Sequence, residues 1–581
     1  MNKYFLTPVL ALSVGLLTAC QTQAPRDVAA VAAEPPAKVR ALPFNEPQRP
    51  QQELDEDLVF SYLAGEIGTR AGELRTALVH YLHASMLADD PYAAERATRI
   101  ALHLHDYEQG MRAAKRWVQL APNSLSARQI SGLLFLRNGE LDMAREQFDA
   151  VMRIAEALDK DGMLQVAVAL SNESDQEAAL QVMRGLLAEH DGDARSYYAM
   201  SVIEAAQERY QEAESSLREA IALDPERPQP RVLLSRVLVA LGRTEQAIRH
   251  LAAAVKDYPD SRLLRISYAR LLVSEQLFSE ALQQFRVLYK QAPEDVEIAY
   301  GFAMLATQQE QWDEARSLWQ ALRNRLKYRD EATYFLAQVE EQADNTELAL
   351  GLYRSIPPGE FKVDAVIRMS GLLADIDQLA EARQALAQAR IAYAERAVDL
   401  YLAEAQVMQL AQASHEDVMA LYRQAVSAHP DNNVLLYNRG LYLSQVGDYT
   451  RMEADFQTVL ARDPDNVDAL NALGYMLAEQ NTRLDEAFDY VSRALAQQPD
   501  SPAILDSMGW VYYRMGDFAN ALKYLRQAVA ETPDGEISAH LGEVLWVSGR
   551  QDEARSVWRE ALREMPDSEE LRAVMERFLE P

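Results

Sequence analysis

The chain has 581 residues, a formal charge of −30 and a single cysteine. So acidic a chain repels nucleic acid and anionic lipid headgroups, which argues against both as partners, and one thiol excludes a disulfide framework. Most of the charge is that of a solvated helical surface, although a partner with a basic face would be steered toward it.

At the start, Lys3 precedes an apolar run from Phe5 to Leu17 that ends Leu17-Thr18-Ala19-Cys20. A run of about 14 residues is too short to cross a bilayer as a helix, and it reads as a secretory leader over residues 1–19. The ending resembles the bacterial lipoprotein box, whose cysteine is acylated and becomes the mature N-terminus. The resemblance makes Cys20 the lipidation site. Gln21 after it, rather than Asp, implies anchoring in the outer membrane, facing the periplasm. Three acyl chains would hold firmly where a single chain binds only reversibly. No later apolar stretch reaches about 18 residues, so no transmembrane helix is expected. Residues 20–53 read as a linker: six prolines lie between Pro25 and Pro50 with little large apolar content, too little for a packed core. As a flexible coil it would reach roughly 30 Å, further if the prolines stiffen it.

Leu54, Leu58 and Tyr62 open the helical part. From there nine prolines fall on a ladder: Pro122, Pro225, Pro259, Pro293, Pro430, Pro464, Pro499, Pro533 and Pro566. Four of the eight gaps are 34 residues, one is 35 and one 33, and the wide gaps of 103 and 137 are three and four periods plus one. A fixed period of this size means one supersecondary unit copied along the chain. In the unit from Pro502 to Asp534, Leu505, Met508, Gly509 and Tyr512 share a face of a first helix, and Ala521, Leu525 and Ala528 share a face of a second. Gly509 and Ala521 are small where the two helices cross. Met515-Gly516-Asp517 supplies the turn, and Pro533, with no N–H to donate, closes the unit.

These positions resemble the tetratricopeptide repeat (TPR) family. The same frame gives Gly132 and Phe148; Ala213, Leu217 and Ala220; Ala247, Leu251 and Ala254; Ala281 and Phe285; Ala315 and Trp319; Gly440 and Phe456; Gly474, Ala487 and Ala494; and Gly542, Ala554 and Trp558. The expected fold is an all-α TPR superhelical solenoid of about 13–15 helix pairs over residues 54–568, clearest at 125–158, 194–327 and 433–568, with a capping helix at 569–581 through Leu571, Val574, Met575 and Phe578. Degenerate units lie near Leu58, Pro91, Asp159, Asp330, Val363 and Asp399. Ile356-Pro357-Pro358-Gly359 cuts a second helix short among them, and a hinge is expected there.

No phosphate loop, nucleophile elbow, Ser-x-x-Lys or His-Glu-x-x-His motif occurs. His80 and His83 share a helix face, with His103 and His105 near, but no thiol or carboxylate cluster completes a metal site. No cofactor and no enzyme activity are expected. In the TPR frame, positions 2, 5, 9 and 12 of each first helix face the concave groove, and in the last four repeats they supply Tyr437, Asn471, Tyr475, Asp506, Trp510, Tyr513 and Trp546. Aromatics separated by Asn and Asp suit capture of an extended peptide; the alternative is that they pack between adjacent first helices. The family's Lys/Arg and Asn clamp for a peptide carboxylate is matched only at Asn471. The strings Asn471–Tyr475, Asp506–Trp510 and His540–Trp546 resemble the C-terminal repeats of proteobacterial TPR lipoproteins. Members of that group act as adaptors for periplasmic carboxyl-terminal processing serine proteases and present cell-wall hydrolases to them. A scaffold for envelope assembly or polysaccharide export is the competing expectation.

Overall fold

The computed structural model describes residues 55–579 except 159, 190 and 191. The leader, Cys20 and the linker to residue 53 lie outside the described residues. Those described form 31 α-helices, fifteen consecutive pairs and one closing helix, with two short 3-10 turns. The chain divides into two compact units, Met1–Leu322 and Arg323–Pro581. The first holds eight pairs, from Glu56–Ala71 to Trp312–Arg323, and the second holds seven, beginning at Arg329–Gln342, plus Glu569–Leu579. Within each unit helices pack on their sequence neighbours and on the next helix but one.

The proline ladder times the helix starts as well as the stops. Pro122, Pro293, Pro430 and Pro464 each precede an N-cap by two residues. Ser124 accepts from the Ala127 N–H, Asp295 from Glu297 and Ile298, Asn432 from Leu435, and Asn466 from Ala469. Each cap satisfies a donor that would otherwise be orphaned at the helix end.

In five of the repeats the helices meet where a glycine faces a large side chain sixteen residues on. A Cβ on Gly132 would lie 2.8 Å from Phe148 Cζ, one on Gly440 2.5 Å from Phe456 Cε1, and one on Gly509 2.6 Å from Leu525 Cγ. Gly65 and Gly542 face Tyr81 and Trp558 in the same way. Phe148 and Trp558 are fully buried.

The turn between paired helices passes through a left-handed residue in fourteen of the fifteen pairs. Glycine takes that place at 72, 139, 242, 447, 516 and 549. His105, Glu208, Gln276, Glu310, Asp344, Asp377, Gln412 and Asn481 take it elsewhere, at about 1–2 kcal/mol each for the strained Cβ. The 35-residue gap is absorbed in one such turn, where Asn481 and Arg483 are both left-handed.

Along the chain the two compact units meet at a point other than Pro357-Pro358. The boundary between compact units is at Leu322–Arg323, where no proline stands. The prolines do shorten a second helix, Thr346–Ser355, yet the segment is pinned. Ile356 is buried, Lys362 Nζ donates to the Ile356 carbonyl at 2.8 Å, and a buried Arg368–Glu341 ion pair of 2.9 Å ties first helices of successive repeats.

Gly509→Leu is expected to destabilise the second unit by about 1–3 kcal/mol through overpacking. Because each repeat leans only on its neighbours, hydrogen exchange should show lost protection around Pro502–Glu531 and none before Leu322. Uniform loss from Leu58 onward would contradict a neighbour-only array.

Candidate functional site on the first helices of the C-terminal repeats

Four of the seven sequence-selected residues come together. Tyr475 lies on Val467–Glu479, and Asp506, Trp510 and Tyr513 lie on Pro502–Arg514; the third wall is Gly535–Val547. A residue not singled out from the sequence, His540 on that third helix, is at the centre. Its ring stacks on Trp510 at 4.0 Å and 26°, and its Nδ1 stands 3.0 Å from both Asp506 carboxylate oxygens. Trp510 Nε1 donates to Glu479 at 2.7 Å. Tyr513 donates its hydroxyl to Glu543 at 3.1 Å, and Arg577 of the closing helix pairs with the same carboxylate. The Tyr475 hydroxyl donates to Glu536 at 3.0 Å, two repeats further on.

Trp510 is therefore a packed side chain, 4% exposed, with its edge on Glu479 and a face on His540. Asp506 is buried too. The other three sequence-selected residues stand apart. Trp546 is half-buried, stacks on Trp558 and meets Phe578 of the closing helix at a tilt of 46°. Tyr437 is half-buried with its ring 5.6 Å from Phe456. Asn471 is half-buried, and its side-chain oxygen has no hydrogen-bond partner. The signal for His540 was present in the sequence: it follows Asp506 by 34 residues, one period. The 33-residue gap between Pro533 and Pro566 moves it one place along its helix, off the positions assigned to the groove.

The electrostatics follow from burial among carboxylates. Burial alone would lower the His540 pKa, but the Asp506 charge and hydrogen bond, then Glu536 and Glu479, outweigh it and raise the value above that of a free imidazole. Tyr475 is held far above the ordinary phenol range by burial, then by Glu536, Glu479 and Asp506. Among the described residues no three His, Cys, Asp or Glu side chains gather as metal ligands. No described helix is long and apolar enough to cross a membrane.

Paired helices at this period, locked by a small residue against a large one, define a tetratricopeptide-repeat protein. Family models agree: the tetratricopeptide repeat matches residues 194–227, 437–502 and 507–569, and the cytochrome c-type biogenesis protein H TPR domain matches 214–333. The chain is 37% identical over 509 residues to the TPR repeat-containing protein PA4667 of Pseudomonas aeruginosa, covering 88% of this chain and 86% of the relative. It belongs to the family of that protein. Among solved structures, it is similar to a chain of the APC/C hetero-tetramer Cut9-Hcn1 (11% identity, 90% of this chain and 97% of that one, TM-score 0.31). It is also similar to PilW, a type IV pilus biogenesis factor (19% identity, 37% of this chain and 100% of that one, TM-score 0.31).

Two outcomes are expected of the cluster. Trp510→Ala should cost about 3–5 kcal/mol, as loss of a buried large aromatic does, and should lower the thermal midpoint of the second unit; an unchanged midpoint would mean the indole packs on nothing. The second concerns pH. A histidine whose folded pKa is raised contributes stability fully below its unfolded value, about 6.5, and loses it as pH climbs through the folded value. Protection of Val467–Val547 should therefore fall from about pH 6.5 upward in the wild type and stay flatter in His540→Gln. Parallel profiles would show that His540 does not carry the dependence.

Proposed function

We propose that the protein is an outer-membrane-tethered periplasmic scaffold that performs no chemistry itself. It binds proteins on its repeat surface and presents substrates, peptidoglycan hydrolases among them, to a carboxyl-terminal processing protease. The observation that carries this reading is that helix pairs run from Glu56 to Leu579, so that what the described chain offers a partner is surface. The box ending at Cys20, followed by Gln21, supports the tether. The C-terminal strings around Asn471, Asp506 and His540 support the adaptor role by resemblance. Holding a protease and its substrate on one array raises their effective concentration without a catalytic group. Of the groove residues, Tyr437, Asn471, Tyr475, Tyr513 and Trp546 keep part of their surface in solvent and are the contacts proposed for a partner; Asp506 and Trp510 shape that surface from beneath.

Cys20→Ala is expected to move the protein from the membrane to the soluble fraction with its helical circular dichroism unchanged, because the first helix begins 36 residues later, at Glu56. Crosslinking of intact envelopes followed by capture of the wild type should then recover a periplasmic serine protease. Recovery of a secretion channel or a polysaccharide synthase instead would favour the scaffold for envelope assembly or export.

A further inference from the structure

The two ends of the repeat array are finished differently. At the C-terminal end the closing helix Glu569–Leu579 buries Leu571 and Val574 and turns Glu570, Arg572, Glu576 and Arg577 to solvent. That is the polar cover a solenoid end needs. At the other end, Glu56–Ala71 buries Leu58, Ser61, Gly65 and Gly68 against the following helices. Its opposite face is apolar and open: Phe60 is 63% exposed, Leu63 57% and Ile67 65%. No helix pair precedes it among the described residues.

The pattern on that face is what points to its occupant. Glu56, Val59, Leu63, Ile67 and Arg70 are all exposed, and their spacings run 3, 4, 4, 3, which keeps them on one stripe of the helix. The order reads the same from either end, with Leu63 in the middle and opposite charges at the extremes. Two copies of such a helix laid antiparallel about a two-fold axis at Leu63 put Glu56 of each beside Arg70 of the other, and Val59 beside Ile67. A self-complementary patch of this kind is the requirement of an isologous dimer. A parallel arrangement would set like charges together at both ends. We propose that the protein forms a two-fold symmetric homodimer through Glu56–Ala71, each copy covering the face that the other leaves open among the described residues. Apolar burial supplies the attraction, and the exposed charge pairs fix direction and register rather than strength. One helix face per copy is a small interface, so the dimer is weak, with Kd on the order of 10 µM.

The test uses the full chain, purified in detergent, with mass measured by sedimentation equilibrium. The wild type should pass from monomer to dimer across the micromolar range. Leu63→Glu should be monomeric with unchanged helical circular dichroism, since the side chain is exposed. Glu56→Arg alone and Arg70→Glu alone should each raise Kd about tenfold or more, and the double exchange should restore it. Leu63→Cys should give an oxidation-dependent crosslink at twice the chain mass, because a residue on the two-fold axis meets its own copy. A wild type that stays monomeric to about 100 µM, far above a Kd of that order, would overturn the proposal and leave the face to residues 20–54 or to another protein. A double exchange that fails to rescue would equally overturn it, since the antiparallel register would then be wrong.

Discussion

In six of the repeats the two helices approach where the first of them carries a glycine. Helix axes packed face to face stand about 8–10 Å apart, set by the residues at the contact. A glycine there leaves a notch that one ring or branched side chain fills: Phe148 against Gly132, Phe456 against Gly440, Leu525 against Gly509. Because the filling residue comes from the same repeat, a unit of this kind carries its own lock, and its neighbours need only match faces. That independence lets the rest of the sequence drift. The pair Gly162–Leu170 and Gln176–Glu189 lacks the left-handed turn of the others. It still packs closely, because a Cβ on Gly162 would lie 2.6 Å from Met152 Cα of the preceding repeat.

How much of this could be read from the residues follows from the same logic. Prolines, caps and the glycine-to-ring offset recur because each answers a local requirement, so the period, the helix pairs and most of their ends were legible. The turns were legible only where glycine holds the left-handed place. At Glu208, Glu310 and Asp377 an ordinary polar residue accepts the strain, and nothing in its identity announces a turn. The boundary between compact units at Leu322–Arg323 was not legible for the opposite reason. It carries no proline and no change of composition, whereas Pro357-Pro358 drew attention to a segment that Arg368 and Lys362 hold in place.

The groove residues mark a further limit. Periodicity assigns a residue to a face, and it did so for Trp510 and Asp506, but it does not say what already occupies that face. Here the following repeat does, through His540, and the repeat before supplies Glu479 to the indole edge. The contact between Tyr475 and Glu536 joins first helices two repeats apart. Side chains that periodicity assigns to one groove reach each other instead.

Some of the buried charge joins one repeat to another, while the buried Asp455 takes Arg439 within a single repeat. Glu173 takes Arg137 with two hydrogen bonds, Glu341 takes Arg368, and Asp506 takes His540, each across a repeat boundary. Such pairs are poor sources of stability: desolvation offsets their attraction, and well-packed apolar residues of the same volume often serve as well or better. Their asymmetry is more informative. A pair that is made costs little, whereas one that is missed leaves a charge buried alone, at about 3–5 kcal/mol. Repeats built on one plan present one another with nearly equivalent apolar faces, and hydrophobic contact does not distinguish the correct neighbour from another or the correct register from a slipped one. A carboxylate that must find its cation about one period away makes that distinction. On this argument packing within a repeat supplies the cohesion, and where a buried ion pair crosses a repeat boundary it sets the register in which those units stack.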